Sequence, residues 1–192
     1  GHQEGHDLGN HVGEQDAGVA GAHRTGPAHE HALLDAAGLG PDQAGRRGPR
    51  AFVATGQALD DEMKARIARH RETRPTDWIT AEVPRDLAAW FRTEGQAYRT
   101  VVVDCLTLWL SNVCGRRIAG QEMVPRVEEL LQAIRGSKAR VVLVSNELGF
   151  GLVPTSRSAR AFRDVAGRVN QQIAAAADEV YFVVSGQSLK LK

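Results

Sequence analysis

From residue 51 onward, short apolar runs alternate with longer stretches in which apolar residues recur every three or four positions. Runs rich in β-branched residues predict strands, and the longer spacing predicts amphipathic helices. The predicted strands are residues 52–55, 78–83, 100–104, 141–144 and 180–184. Gly186 and residues 189–192 follow the last strand and predict a hairpin that returns onto the sheet.

The helix predicted after the first strand carries a histidine near its end. Asp60 has a side chain suited to an N-cap, and Pro75 stops the helix. His70 continues the apolar stripe of Met63 and Ile67 at i, i+4, i+7 spacing. Arginines surround this position at Arg66, Arg69, Arg71 and Arg74.

His70 is open to two interpretations. A lone histidine on an apolar face is usually a packed residue, and several arginines on one helix usually form a solvated face. The same position, half core and half cleft beside several cations, also suits a histidine that transfers a nucleotidyl group. Spacing alone does not decide between the two.

A carboxylate ends the most strongly β-branched strand. Asp104 closes the run 100–104, TVVVD. A carboxylate at the carboxyl end of a buried strand can hold Mg²⁺ beside phosphates, which is the Walker-B arrangement. Many strands also end in Asp as a turn residue or helix cap, so that interpretation stays open beside the first.

Composition and charge indicate one soluble cytoplasmic domain. The 192 residues are 42% hydrophobic, enough for one sizeable core, and the formal net charge of +1 is too balanced for polyanion binding. We therefore expect no nucleic-acid partner. Cys105 and Cys114 suit neither a disulfide framework nor a zinc site. The sequence shows no signal peptide and no apolar run long enough to cross a bilayer, so we expect no membrane partner.

Four blocks of sequence carry a resemblance to a known family. They are ATGQALDDEMKARIARHRETRP, VVVDCLTLWLSN, VVLVSNELGFGLVP and RAFRDVAGRVNQQIAAAADEVYFVVSG, followed by a closing LKLK. In this order and spacing, the chain from Ala51 to its last residue resembles the bifunctional adenosylcobinamide kinase and adenosylcobinamide-phosphate guanylyltransferase family of cobalamin biosynthesis.

The resemblance implies an α/β fold with a RecA-like, P-loop-type, mostly parallel sheet flanked by helices. It also implies two reactions on the aminopropanol arm of a corrinoid. The hydroxyl is first phosphorylated from a nucleoside triphosphate, and GMP is then transferred from GTP through a guanylyl-histidine. The implied ligands are GTP, ATP and Mg²⁺, with adenosylcobinamide as substrate. A homotrimer is implied as well.

The resemblance assigns roles to individual residues of this chain. His70 matches the guanylyl acceptor, and Asp104 matches the carboxylate beside the metal. The matching nucleotide-binding positions are Thr55, Gly56, Gln57, Arg71, Glu72, Thr73, Arg74, Glu82 and Asp104. We expect the Glu82 carboxylate to accept the N1 and N2 hydrogens of guanine. A surface glutamate on an edge strand is the alternative.

The loop at 146–151 follows the fourth predicted strand and contains two glycines. Such a loop lies where ligands bind in open α/β sheets, so we expect it to line the corrinoid or phosphate pocket. A flexible connection to the next helix is the alternative. That helix, about 158–177, has an apolar face and a polar stripe, which we expect to be solvated or to contact another subunit. The stripe is Arg157, Arg160, Asp164 and Arg168.

The chain departs from the family before residue 49. The family begins with a strand, a G-G-x-x-S-G-K-S phosphate loop and a helix. This chain has no lysine before Lys64, and its first fifty residues hold six of its seven histidines. Gly1 in place of Met indicates an incomplete reading frame. We expect residues 1–48 to be a low-complexity, disordered segment of frame-shifted or foreign origin. Residues 49–192 would then be a nucleotide-binding kinase and guanylyltransferase domain without the usual first strand, phosphate loop and first helix.

Two other functions stay open. The chain could be a non-catalytic remnant, because the first fifty residues contain no Gly-Lys-Ser/Thr to enclose the β- and γ-phosphates. It could also be a P-loop-class nucleotide-binding module with another substrate. A metal tract at His29 and His31 is disfavoured, because the first fifty residues contain no cysteine.

Overall fold

Four parallel strands form the central sheet. The computed structural model describes residues 48–72, 77–115 and 120–192. The strands lie in the order β2-β1-β3-β4, all neighbours parallel. They are β1 Arg50–Ala54, β2 Trp78–Glu82, β3 Thr100–Asp104 and β4 Arg140–Val144. The expected α/β class and parallel sheet are confirmed, with strand ends within two residues of those predicted. The expectations for residues 1–47 lie outside the described part of the chain.

Five described helices connect or follow the strands. They are α1 Asp61–Glu72, α2 Leu87–Arg92, α3 Leu106–Cys114, α4 Gly120–Arg135 and α5 Arg157–Ala176. Asp60 caps α1 as predicted, because its Oδ1 accepts a hydrogen bond from the amide of Met63 at 2.7 Å. Ser156 caps α5 in the same way through the amide of Ala159 at 3.1 Å. None of the described helices is long and apolar enough to cross a membrane.

The main hydrophobic core lies between one face of the sheet and the helices. Side chains alternate between the two faces of a strand, and the residues of β1 and β3 at this core are Ala51, Val53, Val101 and Val103. Their helical partners include Leu87, Phe91, Leu106, Leu110, Val127, Leu130, Val165, Val169 and Ile173. The other face carries a smaller cluster of Phe52, Trp78 and Val102. The predicted inward face of α5 is thereby confirmed.

The strand order reverses between β1 and β3. From β1 the chain moves to β2 on one side, and then to β3 on the other side of β1. In open α/β sheets, ligands bind outside the carboxyl ends of the strands at such a switch point, because the two connections diverge and leave a crevice. Ala54 lies opposite Asp104 in the register at this point. The topology therefore predicts that a ligand binds beside the residues that follow β1 and β3.

The C-terminal hairpin forms, but it does not join the four-stranded sheet. Strands β5 Tyr181–Val184 and β6 Gln187–Lys190 pair antiparallel in a sheet of their own. Ser185 and Gly186 have φ values of 52° and 74°, which matches the two left-handed residues of a tight hairpin turn. The prediction that the hairpin returns onto the main sheet is wrong, because β5 and β6 form a separate two-stranded sheet in the described part of the chain.

Candidate active site

Thr55, the first residue after β1, is fully buried and joins the carboxyl ends of β1 and β3. Its Oγ1 donates to the carbonyl of Cys105 at 2.7 Å and accepts from the amide of the same residue at 2.8 Å. Its amide donates to the carbonyl of Asp104 at 3.1 Å. Because these groups are bonded within the protein, Thr55 supports the edge of the sheet. Its contact with a nucleotide stays a prediction.

Asn112 of α3 ties β2 to the same edge. Its Nδ2 donates to the carbonyl of Thr55 at 2.7 Å and to that of Pro84 at 3.0 Å. Asn112 is not among the site residues predicted from the sequence. The available signal was an amide side chain in the otherwise apolar segment LTLWLSN, since a half-buried amide needs hydrogen-bond partners. The carboxyl ends of three strands are thus held as one unit, which we call the strand-end rim.

Helix α1 approaches the strand-end rim through the side chain of Ile67. A Cβ atom added at Gly56 would lie 3.6 Å from Cδ1 of Leu108 and 3.8 Å from Cδ1 of Ile67, so α1 and α3 meet beside the end of β1. Gln57 follows and is half-buried. His70 lies in the last turns of α1. Its imidazole lies outside the described part of the structure, so its role stays a prediction.

An ion pair connects the end of α1 with the end of β2. Arg71 and Glu82 bind each other, and their side chains are 54% and 58% exposed. An ion pair this exposed contributes little stability, since water and salt screen it. It nevertheless brings together two predicted nucleotide-binding residues, one of them adjacent to His70. Glu72 is exposed at the helix end, and the predictions for Thr73 and Arg74 lie outside the described residues.

Asp104 is half-buried at the carboxyl end of β3, within the strand-end rim. The described ranges contain no group of three or more His, Cys, Asp or Glu side chains that could hold a metal ion. A single carboxylate still fits Mg²⁺, because that ion keeps several water ligands and takes others from substrate phosphates. Asp104 can therefore supply one ligand, and its metal role stays a prediction.

Cys105 lies between Asp104 and α3 and is almost completely buried. Burial, together with the negative charge of Asp104, raises the pKa of its thiol from 9.0 to about 11. Asn146, which follows β4, contacts the sulfur through Nδ2 at 3.7 Å. A thiol that stays protonated at neutral pH is a poor nucleophile, so Cys105 serves the packing of the rim.

We expect the protein to lose stability between about pH 9 and pH 11 through Cys105. The folded-state pKa is raised, so the contribution is present below pH 9.0 and disappears as the pH rises toward about 11. Two pKa units correspond to about 2–3 kcal/mol. Urea unfolding between pH 8 and pH 11 would show a smaller alkaline loss for Cys105→Ala than for the wild type. Cys114→Ala is the matched control, and an equal loss in all three proteins would contradict the assignment.

A cleft of about 350 Å³ lies beside Glu82, between the end of β2 and α2. Its lining includes Glu82, Val83, Asp86, Trp90, Thr93 and Glu94. The carboxylates of Glu82, Asp86 and Glu94 repel an anionic group and attract a part of a ligand that carries N–H donors. We call this cleft the acidic cleft.

Comparison with known proteins reveals clear similarity. The profile of the family described as CobU, cobinamide kinase / cobinamide phosphate guanyltransferase, matches residues 21–191. The match thus begins before Ala51. The bifunctional adenosylcobalamin biosynthesis protein CobU of Escherichia coli is 41% identical over 153 residues, covering 73% of this chain and 84% of that protein. CobP of Pseudomonas aeruginosa, with the same description, is 43% identical over 145 residues, covering 73% of this chain and 81% of that protein.

Proposed function

Because the chain belongs to the cobinamide kinase / cobinamide phosphate guanyltransferase family, we propose that it phosphorylates adenosylcobinamide and then transfers GMP to the phosphorylated product. The observation that best supports a reaction centre is the strand-end rim. There Asp104 and the loop after β1 lie at the switch point of the sheet, and Ile67 of the helix that carries His70 lies beside Gly56 of that loop. The reactions of this family act on nucleotide phosphates, and that location is where α/β sheets bind them.

In the kinase reaction, the hydroxyl of the aminopropanol arm attacks the γ-phosphorus of GTP or ATP. The new O–P bond forms as the bond to the bridging oxygen breaks, the hydroxyl proton passes to solvent, and a nucleoside diphosphate leaves. The protein's task is to position the two reactants and to balance charge. Mg²⁺, when bound beside Asp104, would neutralise negative charge on the phosphate oxygens.

In the transfer reaction, a ring nitrogen of neutral His70 attacks the α-phosphorus of GTP. The P–N bond forms and pyrophosphate leaves. The phosphate of the corrinoid then attacks the same phosphorus, the P–N bond breaks, and GMP passes to the corrinoid. Imidazole is a nucleophile only when neutral, so the other ring nitrogen must donate its hydrogen elsewhere.

Arg71 and Glu82 are proposed to contact the two ends of the nucleotide. Arg71 would balance charge near the α-phosphate, and Glu82 would accept hydrogens from N1 and N2 of guanine. Their mutual ion pair is exposed and therefore weak, so a nucleotide can replace it at little cost. The acidic cleft beside Glu82 supports this assignment, because it suits the donor edge of a base better than phosphates.

The function is tested by product analysis with a loop-restored variant. In it, residues 1–48 are replaced by the strand, G-G-x-x-S-G-K-S loop and helix that begin the family. Adenosylcobinamide and GTP should yield the GDP-linked corrinoid, detected by mass spectrometry. If the Escherichia coli relative makes this product and the folded variant does not, the proposed function is wrong.

Asp104→Asn should lower turnover strongly with little change in melting temperature. The amide keeps the size of the side chain but removes the charge that attracts Mg²⁺. The measurement is kinase turnover of the loop-restored protein across a Mg²⁺ titration. Asp178→Asn, an exposed carboxylate that follows α5, is the control for charge removal. Wild-type turnover of Asp104→Asn at equal Mg²⁺ would contradict the metal role and favour a capping role, since Asn also caps well.

One observation favours a second candidate, the non-catalytic remnant. The sequence contains no Gly-Lys pair, and a phosphate loop needs that lysine together with a series of backbone amides. In that case the rim would fold but would hold a triphosphate poorly.

The homotrimer suggested by the resemblance also stays a prediction.

A further inference from the structure

Three of the four parallel strands have a carboxylate at or near their carboxyl ends. Glu82 ends β2, Asp104 ends β3, and Glu147 lies three residues beyond the end of β4. In the proposed function, Glu82 contacts guanine and Asp104 holds Mg²⁺. Glu147 has no role there, and no group of the protein receives the hydroxyl proton of the kinase reaction.

Glu147 lies at the same edge of the sheet as the strand-end rim. Strand β4 pairs with β3, and neighbouring strands lie about 4.8 Å apart. The amide of Asn146 donates to Oγ1 of Thr107 in α3 at 3.0 Å, and its Nδ2 contacts the sulfur of Cys105 at 3.7 Å. The residue just before Glu147 is thus joined to the rim.

Asn170 of α5 holds the Glu147 carboxylate from one side. Its Nδ2 donates to Oε2 of Glu147 at 3.3 Å and to the carbonyl of Asn146 at 3.2 Å. Its Oδ1 accepts a hydrogen bond from the hydroxyl of Ser145 at 2.7 Å. One amide side chain of α5 therefore binds three consecutive residues after β4.

The loop backbone holds the carboxylate from the other side. Oε1 of Glu147 accepts a hydrogen bond from the amide of Gly149 at 3.0 Å. Arg163 of α5 holds this loop in turn, since its guanidinium donates to the carbonyls of Gly149 at 2.9 Å and Gly151 at 3.3 Å. The loop is therefore tethered to α5 and is not a flexible connection.

A carboxylate held in this way can accept one more hydrogen. Glu147 is exposed, and its two bonds to the protein leave a lone pair free on each oxygen. Because the side chain is already fixed in the free protein, less entropy is lost when it orients a reacting hydroxyl. Phosphoryl transfer passes through a loose transition state, so its proton acceptor needs correct placement more than strong basicity.

We propose that Glu147 orients the hydroxyl of the aminopropanol arm and accepts its proton in the kinase reaction, and that Asn170 positions Glu147. This inference rests on the proposed function. The O–H bond breaks as the oxygen forms its bond to the γ-phosphorus, and the proton passes to an oxygen of Glu147. The carboxylic acid then releases the proton to solvent, which restores the carboxylate.

Two separate assays of the loop-restored protein test the proposal. Glu147→Gln should lower the kcat of the kinase reaction about a hundredfold, because the amide can bind a hydroxyl but takes no proton. GMP transfer to adenosylcobinamide phosphate at pH 8 should keep its rate, because the attacking phosphate is already ionised. Glu128→Gln, the same change at an exposed position of α4, is the matched control and should keep both rates.

Asn170→Asp tests the positioning role. The new side chain has the same size and still accepts from Ser145, but it does not donate to Glu147 and repels its charge. We expect the kinase kcat to fall about tenfold with an unchanged KM for adenosylcobinamide, and GMP transfer to stay at its original rate. A variant that had merely lost its fold would lose both reactions.

Unchanged kinase turnover in Glu147→Gln would overturn the proposal, and so would an equal loss of both reactions in that variant. In either case the proposed function still stands, because the unsubstituted loop-restored protein makes both products. If that protein catalyses neither reaction, the proposed function is wrong, and the role of Glu147 is wrong with it.

Discussion

His70→Ala should abolish covalent labelling of the loop-restored protein by GTP carrying ³²P in its α-phosphate. The wild-type label should be labile in acid and stable in base, as a phosphoramidate is. His70 is the only histidine between residues 49 and 192, so within this segment a histidine-linked label has one possible location. The physical reason is that GMP transfer through the protein requires a nucleophile, which alanine does not offer.

Kinase turnover should survive His70→Ala better than GMP transfer, because phosphorylation needs positioning and charge balance but no protein nucleophile. Lys64→Ala is the matched control, since Lys64 lies on α1 and pairs with Asp61 at 2.8 Å. The control should keep both reactions. Equal loss of kinase and transfer in His70→Ala would show that His70 is needed for nucleotide binding or folding. This is the packed interpretation that its spacing also allowed.

Restoring the phosphate loop should strengthen GTP binding by orders of magnitude. The wild-type chain lacks the Gly-Lys pair, and each charge-assisted contact that a loop makes to phosphate contributes about 1.5–3 kcal/mol. Losing several of these contacts places the wild type outside the micromolar range. Isothermal titration of both proteins with GTP measures the difference.

The matched control carries the same graft with alanine in place of the loop lysine. It should lie between the wild type and the restored protein, because it keeps the backbone amides and loses one cation. A micromolar dissociation constant for the wild-type chain would show that another segment supplies the phosphate cradle. That result would also remove the main support for the non-catalytic remnant.

The sequence predicts local structure well, because local interactions join residues that are close together in the chain. The β-branched run 100–104 forms β3 at its predicted ends, since such residues suit a buried strand. Asp60 caps α1 through the amide three residues later. The inward face of α5 likewise follows from its helical spacing. The sequence also indicated the family, because the four motif blocks occur in the same order as in that family.

The sequence did not predict which residues of the site meet, because those contacts join residues far apart in the chain. The bonds from Thr55 to Cys105 span fifty residues. Asn112 reaches from α3 to the ends of two strands, and Arg71 at the end of α1 pairs with Glu82 at the end of β2. The C-terminal hairpin is a second case in which the sequence did not predict the tertiary arrangement.

Alternation and turn residues determined that β5 and β6 pair with each other, since that pairing is local. Whether they join the larger sheet depends on strand order, which no local pattern encodes. The sequence by itself therefore determined the elements, the N-cap of α1 and the types of side chain that each element carries. The tertiary structure decided which of these residues meet, because packing the helices on one face of the sheet sets the distances between them.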